Sequence, residues 1–368
     1  MFLYICTEYT SFIVDQDFYL IGMERASHKS IGTTAIISIL LVVLIISGFG
    51  LTYSFYSGSK DIRDTSQGKQ LDFFLASRFN PDSLPHDKQG EMIRYGYDLV
   101  THTASIIGPN VKNLNMRFAG NNLACQNCHI ESGQRKFAAP FVGVTGRFPQ
   151  FRKRDDAFAT IEDRINGCMQ RSMNGKKLPL DSKEMKAIVI YMNWLSRDVP
   201  TGKKVYGSGL IKIRYPDRKA DLHSGRKIYQ SKCVSCHGEN GQGKKNVPDD
   251  PSKGYLFPPL WGKNSFNEGA GMHRVLKAAA FIKANMPFGT TYEKPVLTDD
   301  EAYDVAAYIN SKTRPEMPHL DKDFPVLSMK PVDCPYPPYA DHFNQEQHEF
   351  GPFQPIFAEH KVQSKSSH

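Results

Sequence analysis

The chain has 368 residues, with 46 lysines and arginines against 38 acidic residues and a formal charge of +8. That length accommodates two domains beside an export segment and a tail. Seven cysteines that fall into no paired framework exclude a disulfide-built scaffold.

The first predicted element lies near the N-terminus. Residues 31–51 contain no charge, and Ile36 to Ile46 is apolar apart from Ser38. Arg25, His28 and Lys29 precede this run, so residues 1–30 are expected in the cytoplasm and 31–51 as a transmembrane anchor. The alternative is a cleaved signal segment, with Gly48-Phe49-Gly50 resembling a small-x-small cleavage site. Met23 is a second candidate start, which would place Cys6 outside the protein. Residues 52–85 mix Ser, Asp, Lys, Asn and Pro with few apolar runs and read as a linker.

Two pentapeptides follow: Cys125-Gln-Asn-Cys128-His129 and Cys233-Val-Ser-Cys236-His237. C-x-x-C-H is the attachment motif of a c-type haem. The thiols add to the haem vinyl groups as thioethers, and the histidine binds iron from the proximal side. The chain therefore reads as a dihaem cytochrome c with two covalently bound haem c groups. Haem attachment occurs outside the cytoplasmic membrane, which predicts export and a periplasmic location, with nucleic acid an implausible partner.

Each motif is bracketed by helical patterns, as in an internal duplication. Residues 86–200 form the first expected domain. Gly90 to Tyr97 leads its motif, and Met185, Ile188, Val189, Met192 and Leu195 form one apolar stripe behind it. Residues 201–314 form the second. There Gly225 leaves room for a crossing helix and Tyr229 packs one turn later, against a partner at 299–311 whose Ala302, Val305, Ala306 and Ile309 share a face. Strand signals are weak, so the expected fold is all-α, two cytochrome c modules in tandem. Recurrent prolines make 315–368 an extended tail, and its aromatic residues predict packing over disorder.

A haem that only carries electrons needs both axial positions filled. For the second haem the source is Met286, followed by Pro287 on a loop, with Met272 and Met317 as rivals. The first module lacks a Met-Pro loop. It offers Cys168, unpaired and surrounded in sequence by Arg154, Arg164, Arg171, Lys176 and Lys177. A helix from Asp156 would place Arg164, Cys168 and Arg171 on one face with Ser172 beside them. Positive charge favours the thiolate, the form that ligates metals. The alternatives are a small buried residue at 168 and iron ligation by Met169, Met173 or Met116. Residues 112–177 hold twelve Lys/Arg against five Asp/Glu, which points to a small anionic substrate.

Gly120 to His129, Arg152 to Arg154, Arg164 to Gly175, Phe281 to Pro287, and the tail from Pro331 to Asp341 and from Gly351 to Ile356 resemble the dihaem thiosulfate dehydrogenase/tetrathionate reductase family. The resemblance implies an enzyme that interconverts two thiosulfates with tetrathionate and two electrons. It implies His129/Cys168 ligation of a catalytic haem, with Arg154, Arg164 and Ser172 on the substrate. It implies His237/Met286 ligation of an electron-transfer haem, and an electron-transfer protein as partner. Some members have a lysine before this methionine that exchanges with it; Asn285 here predicts no exchange. Rival readings are a non-catalytic dihaem carrier and a Sox-type sulfur-carrier cytochrome.

Overall fold

The computed structural model describes residues 73–76 and 80–366. The expected anchor at 31–51, most of the linker and Cys6 lie outside the described residues. No helix among the described residues is long and apolar enough to cross a membrane.

The first module is built on two helices, α1 (Lys88–Thr101) and, after the haem motif and α2 (Ile161–Arg171), α3 (Lys183–Ser196). Asp87 opens α1 by accepting from the Gly90 amide at 2.7 Å. Thr160 and Asp163 form a reciprocal cap on α2, and Ser182 caps α3. Gly96 sets the crossing of α1 and α3: a Cβ there would lie 2.1 Å from the Ala187 carbonyl oxygen. Behind it Leu99, Met185, Tyr191 and Leu195 are fully buried.

The second module repeats the plan with α4 (Leu222–Lys232), α5 (Val275–Asn285) and α6 (Asp299–Asn310). Gly225 meets the Asp304 carbonyl oxygen, where a Cβ would stand 2.1 Å away, and Tyr229 packs on Trp261 and Tyr308. The glycine is thus placed where two helix backbones approach too closely for any side chain.

Two features depart from an all-helical, extended-tail expectation. Short antiparallel hairpins occur at β1 (Gln150–Arg152) with β2 (Ala157–Ala159), and at β3 (Lys244–Lys245) with β4 (Tyr255–Phe257). They are too short for an alternating pattern to stand out. The tail is irregular up to Asn344 but ends in α7 (Gln345–Phe350) and α8 (Gln354–Ser366). Asn344 caps α7, while Pro355 falls in the first turn of α8, where a missing N–H costs nothing. Phe353 and Ile356 are fully buried in the second module's core.

The tail also reaches the first module. Asp323 accepts from Arg154 and, at 2.7 Å, from Arg171. Tyr336 bonds both Asp323 and Arg154 at 2.8 Å.

Candidate functional site

The first C-x-x-C-H turn is held from below by α1 and its continuation. The Thr103 hydroxyl donates to the Leu99 carbonyl and receives the Cys125 amide at 3.1 Å, while the Asn127 side chain accepts from Ala124 N. These bonds aim Cys125, Cys128 and His129 into an apolar cavity of about 280 Å³. Leu99, Ile107, Phe141, Ile161, Ile188 and Met192 line it too, drawn from every helix of the module.

The His129 ring has a defined tautomer. Its Nδ1 lies 2.5 Å from the Ala139 carbonyl oxygen, which can only accept, so Nδ1 carries the proton and Nε2 is left as a donor pair for iron. Ala139 presents that carbonyl from a left-handed conformation, φ 50°, that an L residue adopts at a cost of roughly 1 kcal/mol or more. Its own amide is fixed by the Gly209 carbonyl at 2.9 Å. Burial pushes the imidazole down to about 4, so it is the neutral, ligating form at neutral pH. His237 repeats the arrangement: Nδ1 donates to the Pro258 carbonyl at 2.9 Å, and burial lowers its pKa.

Opposed elements complete the first cavity. From α2 come Arg164, Cys168 and Met169, followed by Ser172 and Met173. One Arg164 Nη1 donates to Cys168 Sγ at 3.4 Å. Met116 packs on the core without lining the cavity. Met169 and Met173 do line it, so lining alone does not separate them from Cys168; the guanidinium contact does, since it places a charged donor on that sulfur.

Arg154 is placed elsewhere. It does not line this cavity, and its Nη1 is committed to Asp323 and Tyr336. Among the cavity residues that sequence reasoning missed are Arg147 and Phe266, and Met272 was read there only as a rival ligand of the second haem. Arg147, whose Nε donates to the Gly143 carbonyl at 3.3 Å, was one cation among twelve in its region. Phe266 and Met272 come from the second module, and nothing local marks them as belonging to the first.

The three candidate methionines for the second haem occupy different places. Met286 packs in the cluster that holds Cys233, Leu260 and Trp261. Met272 lines the first cavity, and the Met317 sulfur receives the Asn267 side chain at 3.4 Å. Asn285 is buried, and its amide donates to the Phe137 and Phe281 carbonyls.

The donor set fits two c-type haems. Each motif pairs two half-buried cysteines with an oriented histidine, and the first faces a slot with apolar walls. Arg314 is 8% exposed, yet its Nε and Nη1 have no partner among the described residues. It lies over Phe266, a cavity residue, at 4.6 Å. A buried guanidinium with two open donors matches a haem carboxylate.

Fold and site together define a dihaem cytochrome c with tandem modules. Residues 115–201 match the SoxA/TsdA cytochrome c domain and residues 222–313 the cytochrome c domain. The chain is 40% identical over 262 residues to the thiosulfate dehydrogenase of Psychrobacter arcticus, covering 71% of this chain and 74% of that protein. It is 45% identical over 202 residues to the thiosulfate dehydrogenase of Allochromatium vinosum, covering 54% and 72%. The chain belongs to the thiosulfate dehydrogenase family. Among solved structures it is similar to the as-isolated thiosulfate dehydrogenase (TsdBA) of Marichromatium purpuratum, with 37% identity and a TM-score of 0.58. That match covers 67% of this chain and 51% of that chain, so this chain spans about half of the solved one.

Proposed function

We propose that this protein joins two thiosulfate ions into tetrathionate, releasing two electrons, or runs the reverse, with Cys168 as the sulfur nucleophile. The observation that carries the assignment is the Arg164–Cys168 contact inside the cavity that holds Cys125, Cys128 and His129. The contact sets a positive donor beside the sulfur that would bind iron and attack sulfur. Two haems, when bound, supply one-electron acceptors in the number this reaction needs.

The residues divide the chemistry as follows. Cys168 forms a covalent adduct with one thiosulfate, Cys–S⁻ plus S2O3²⁻ giving Cys–S–S–SO3⁻ and two electrons. A second thiosulfate then displaces tetrathionate and restores the thiolate. Arg164 and Ser172, on the same wall as Cys168, offset the dianion charge with hydrogen bonds. Arg154 is assigned to fastening the tail through Asp323. His129 and Cys168 would hold the iron of the first haem, and His237 and Met286 that of the second.

A periplasmic location, an anchor at 31–51 and a separate electron-transfer partner complete the proposal. The uncharged segment and the export that haem attachment requires support the first two. The partner reading draws support from the solved relative, named TsdBA, of which this chain covers about half.

The test is an assay of the purified holoprotein with thiosulfate plus an artificial acceptor, and with tetrathionate plus a donor. Turnover in either direction that disappears in Cys168→Ala is expected. A protein with a His/thiolate haem spectrum but no turnover would be an electron carrier.

A further inference from the structure

We propose that Lys277, on the second module, binds the second thiosulfate and steers it onto the Cys168 adduct. The inference rests on the thiosulfate reading and adds a subsite to it. In the resolving step a dianion must approach an adduct that already carries a sulfonate charge and already occupies Arg164. One cation cannot hold both ions against their repulsion. A second must come from outside α2, where Arg147, in the cavity wall with its Nε on the Gly143 carbonyl, and Lys277 are cations without a carboxylate partner among the described residues.

The cations that bear electrostatically on Lys277 are Arg274, Arg164 and Arg154, with Asp333 opposing them. Two of the three arginines are already engaged by a carboxylate, which Arg154 shares with Arg171. Arg274 is paired through Nε and Nη2 to Asp333, whose remaining oxygen caps Leu276 N at 3.2 Å, and Arg154 is paired to Asp323. Arg164 and Lys277 have no carboxylate within ion-pair distance among the described residues. They are surplus positive charges, close enough to repel, on different modules.

Position agrees with charge. The Lys277 Nζ lies over Gly271, 3.9 Å from where a Cβ would stand, and the next residue, Met272, is part of the first cavity's wall. The lysine stands in the first turn of α5, whose free amides add positive potential. The residue is exposed and is not itself part of the cavity lining, so it is open to an ion arriving from outside. Crowding by protein and the repulsion of its neighbours push its ammonium down to about 8, so it is still mostly charged at neutral pH.

In the step it serves, the outer sulfur of thiosulfate attacks the substrate sulfur bound to Cys168. A sulfur–sulfur bond forms between the two substrate units and the bond to Cys168 breaks. The electron pair leaves on Cys168 as thiolate. The exchange conserves charge and needs no oxidant. Lys277 is a binding residue for the attacking ion and leaves the bond changes to Cys168.

The experiment uses the full-length holoprotein. Tetrathionate loads Cys168 with one thiosulfate unit, excess is removed, and thiosulfate is added over a range of concentrations. Mass spectrometry follows loss of the adduct. In Lys277→Gln the half-saturating thiosulfate concentration should rise about tenfold, the worth of one charge-assisted contact, with little change in the limiting rate. Lys277→Arg should stay within about threefold of wild type. Both haem potentials should be unaltered. An unchanged half-saturation, or one matched by a shifted haem potential, would show that Lys277 serves a haem carboxylate and would overturn the proposal. Failure of the wild type to form an adduct would overturn the Cys168 reading itself, and this subsite with it.

Discussion

The Arg164 guanidinium lies 3.4 Å from the Cys168 sulfur, one turn earlier on the same helix. No carboxylate lies within ion-pair distance of that guanidinium among the described residues, so its charge is available both to the sulfur and to an incoming anion. Arg164→Gln removes a charge-assisted contact of about 1.5–3 kcal/mol. We expect a fall of roughly ten- to hundred-fold in kcat/KM for thiosulfate, with haem content unchanged. Steady-state kinetics beside haem quantification checks this.

Arg154→Gln should behave differently. The arginine is 15% exposed and its partner Asp323 is 9% exposed, so the loss falls on a largely dehydrated pair. Arg171 remains on the other oxygen of Asp323 and limits the damage. A stability loss of about 1–3 kcal/mol is expected, with thiosulfate kcat/KM changed less than in Arg164→Gln. Thermal unfolding and kinetics on the two variants separate the roles; a greater kinetic loss in Arg154→Gln would return it to the substrate.

At the second haem, Met286 is expected to remain the ligand in both oxidation states. Asn285 cannot supply an amine, and its side-chain nitrogen is already spent on Phe137 and Phe281. The near-infrared band of methionine-bound ferric haem should be present in wild type and missing in Met286→Gly. Persistence of the band in the variant would transfer the role to Met272 or Met317.

What could be read from sequence was what is local. Gly225, Tyr229 and the 299–311 stripe are spaced by helix geometry, and that geometry is what the structure uses in the α4–α6 crossing. Cys168 with Arg164 is likewise an i, i+4 relationship. The fate of Arg154 was hidden because Asp323 lies 169 residues away and a cation's sequence surroundings do not reveal its partner. Phe266 and Met272 were hidden for the same reason, since a wall shared between modules leaves no periodic trace. In the tail, prolines concealed α7 and α8, because Pro355 is tolerated at a helix start that composition alone does not mark.

Asp341 offers a test of how the tail is held. It is 1% exposed and accepts from His348 Nε2 at 3.0 Å and His360 Nε2 at 2.8 Å. The other nitrogen of His348 faces the Val332 carbonyl at 2.7 Å, so the ring is held between two acceptors. Against the opposing effect of burial, the His360 and His348 bonds hold the Asp341 carboxyl below its usual range. A depressed carboxylate contributes stability above its unfolded pKa and loses it as pH falls through the folded value, so acid should loosen the tail. Asp341→Asn takes the charged acceptor away from two histidine hydrogen bonds, and about 1.5–3 kcal/mol of stability should go. Unfolding curves against pH for the two proteins should converge in acid; parallel curves would assign the acid sensitivity to other groups.

The pH dependence of turnover tests the second subsite independently of any adduct. Lys277 titrates near 8 because protein crowds it and because Arg274, Arg164 and Arg154 repel its proton, with Asp333 alone pulling the other way. Below that value the ammonium is charged and the subsite complete; above it the charge is lost and the second dianion faces an uncompensated adduct. Since kcat/KM reports the free enzyme, it should fall as pH rises through about 8 and level off once Lys277 is neutral, roughly tenfold lower. Lys277→Arg keeps its charge throughout this range and should remove the fall. Lys277→Gln should start at the lower plateau and stay there. Profiles of thiosulfate oxidation for the three proteins, at constant ionic strength, read the result directly. A fall with the same midpoint in Lys277→Arg would assign the titration to another group and leave Lys277 without a part in binding.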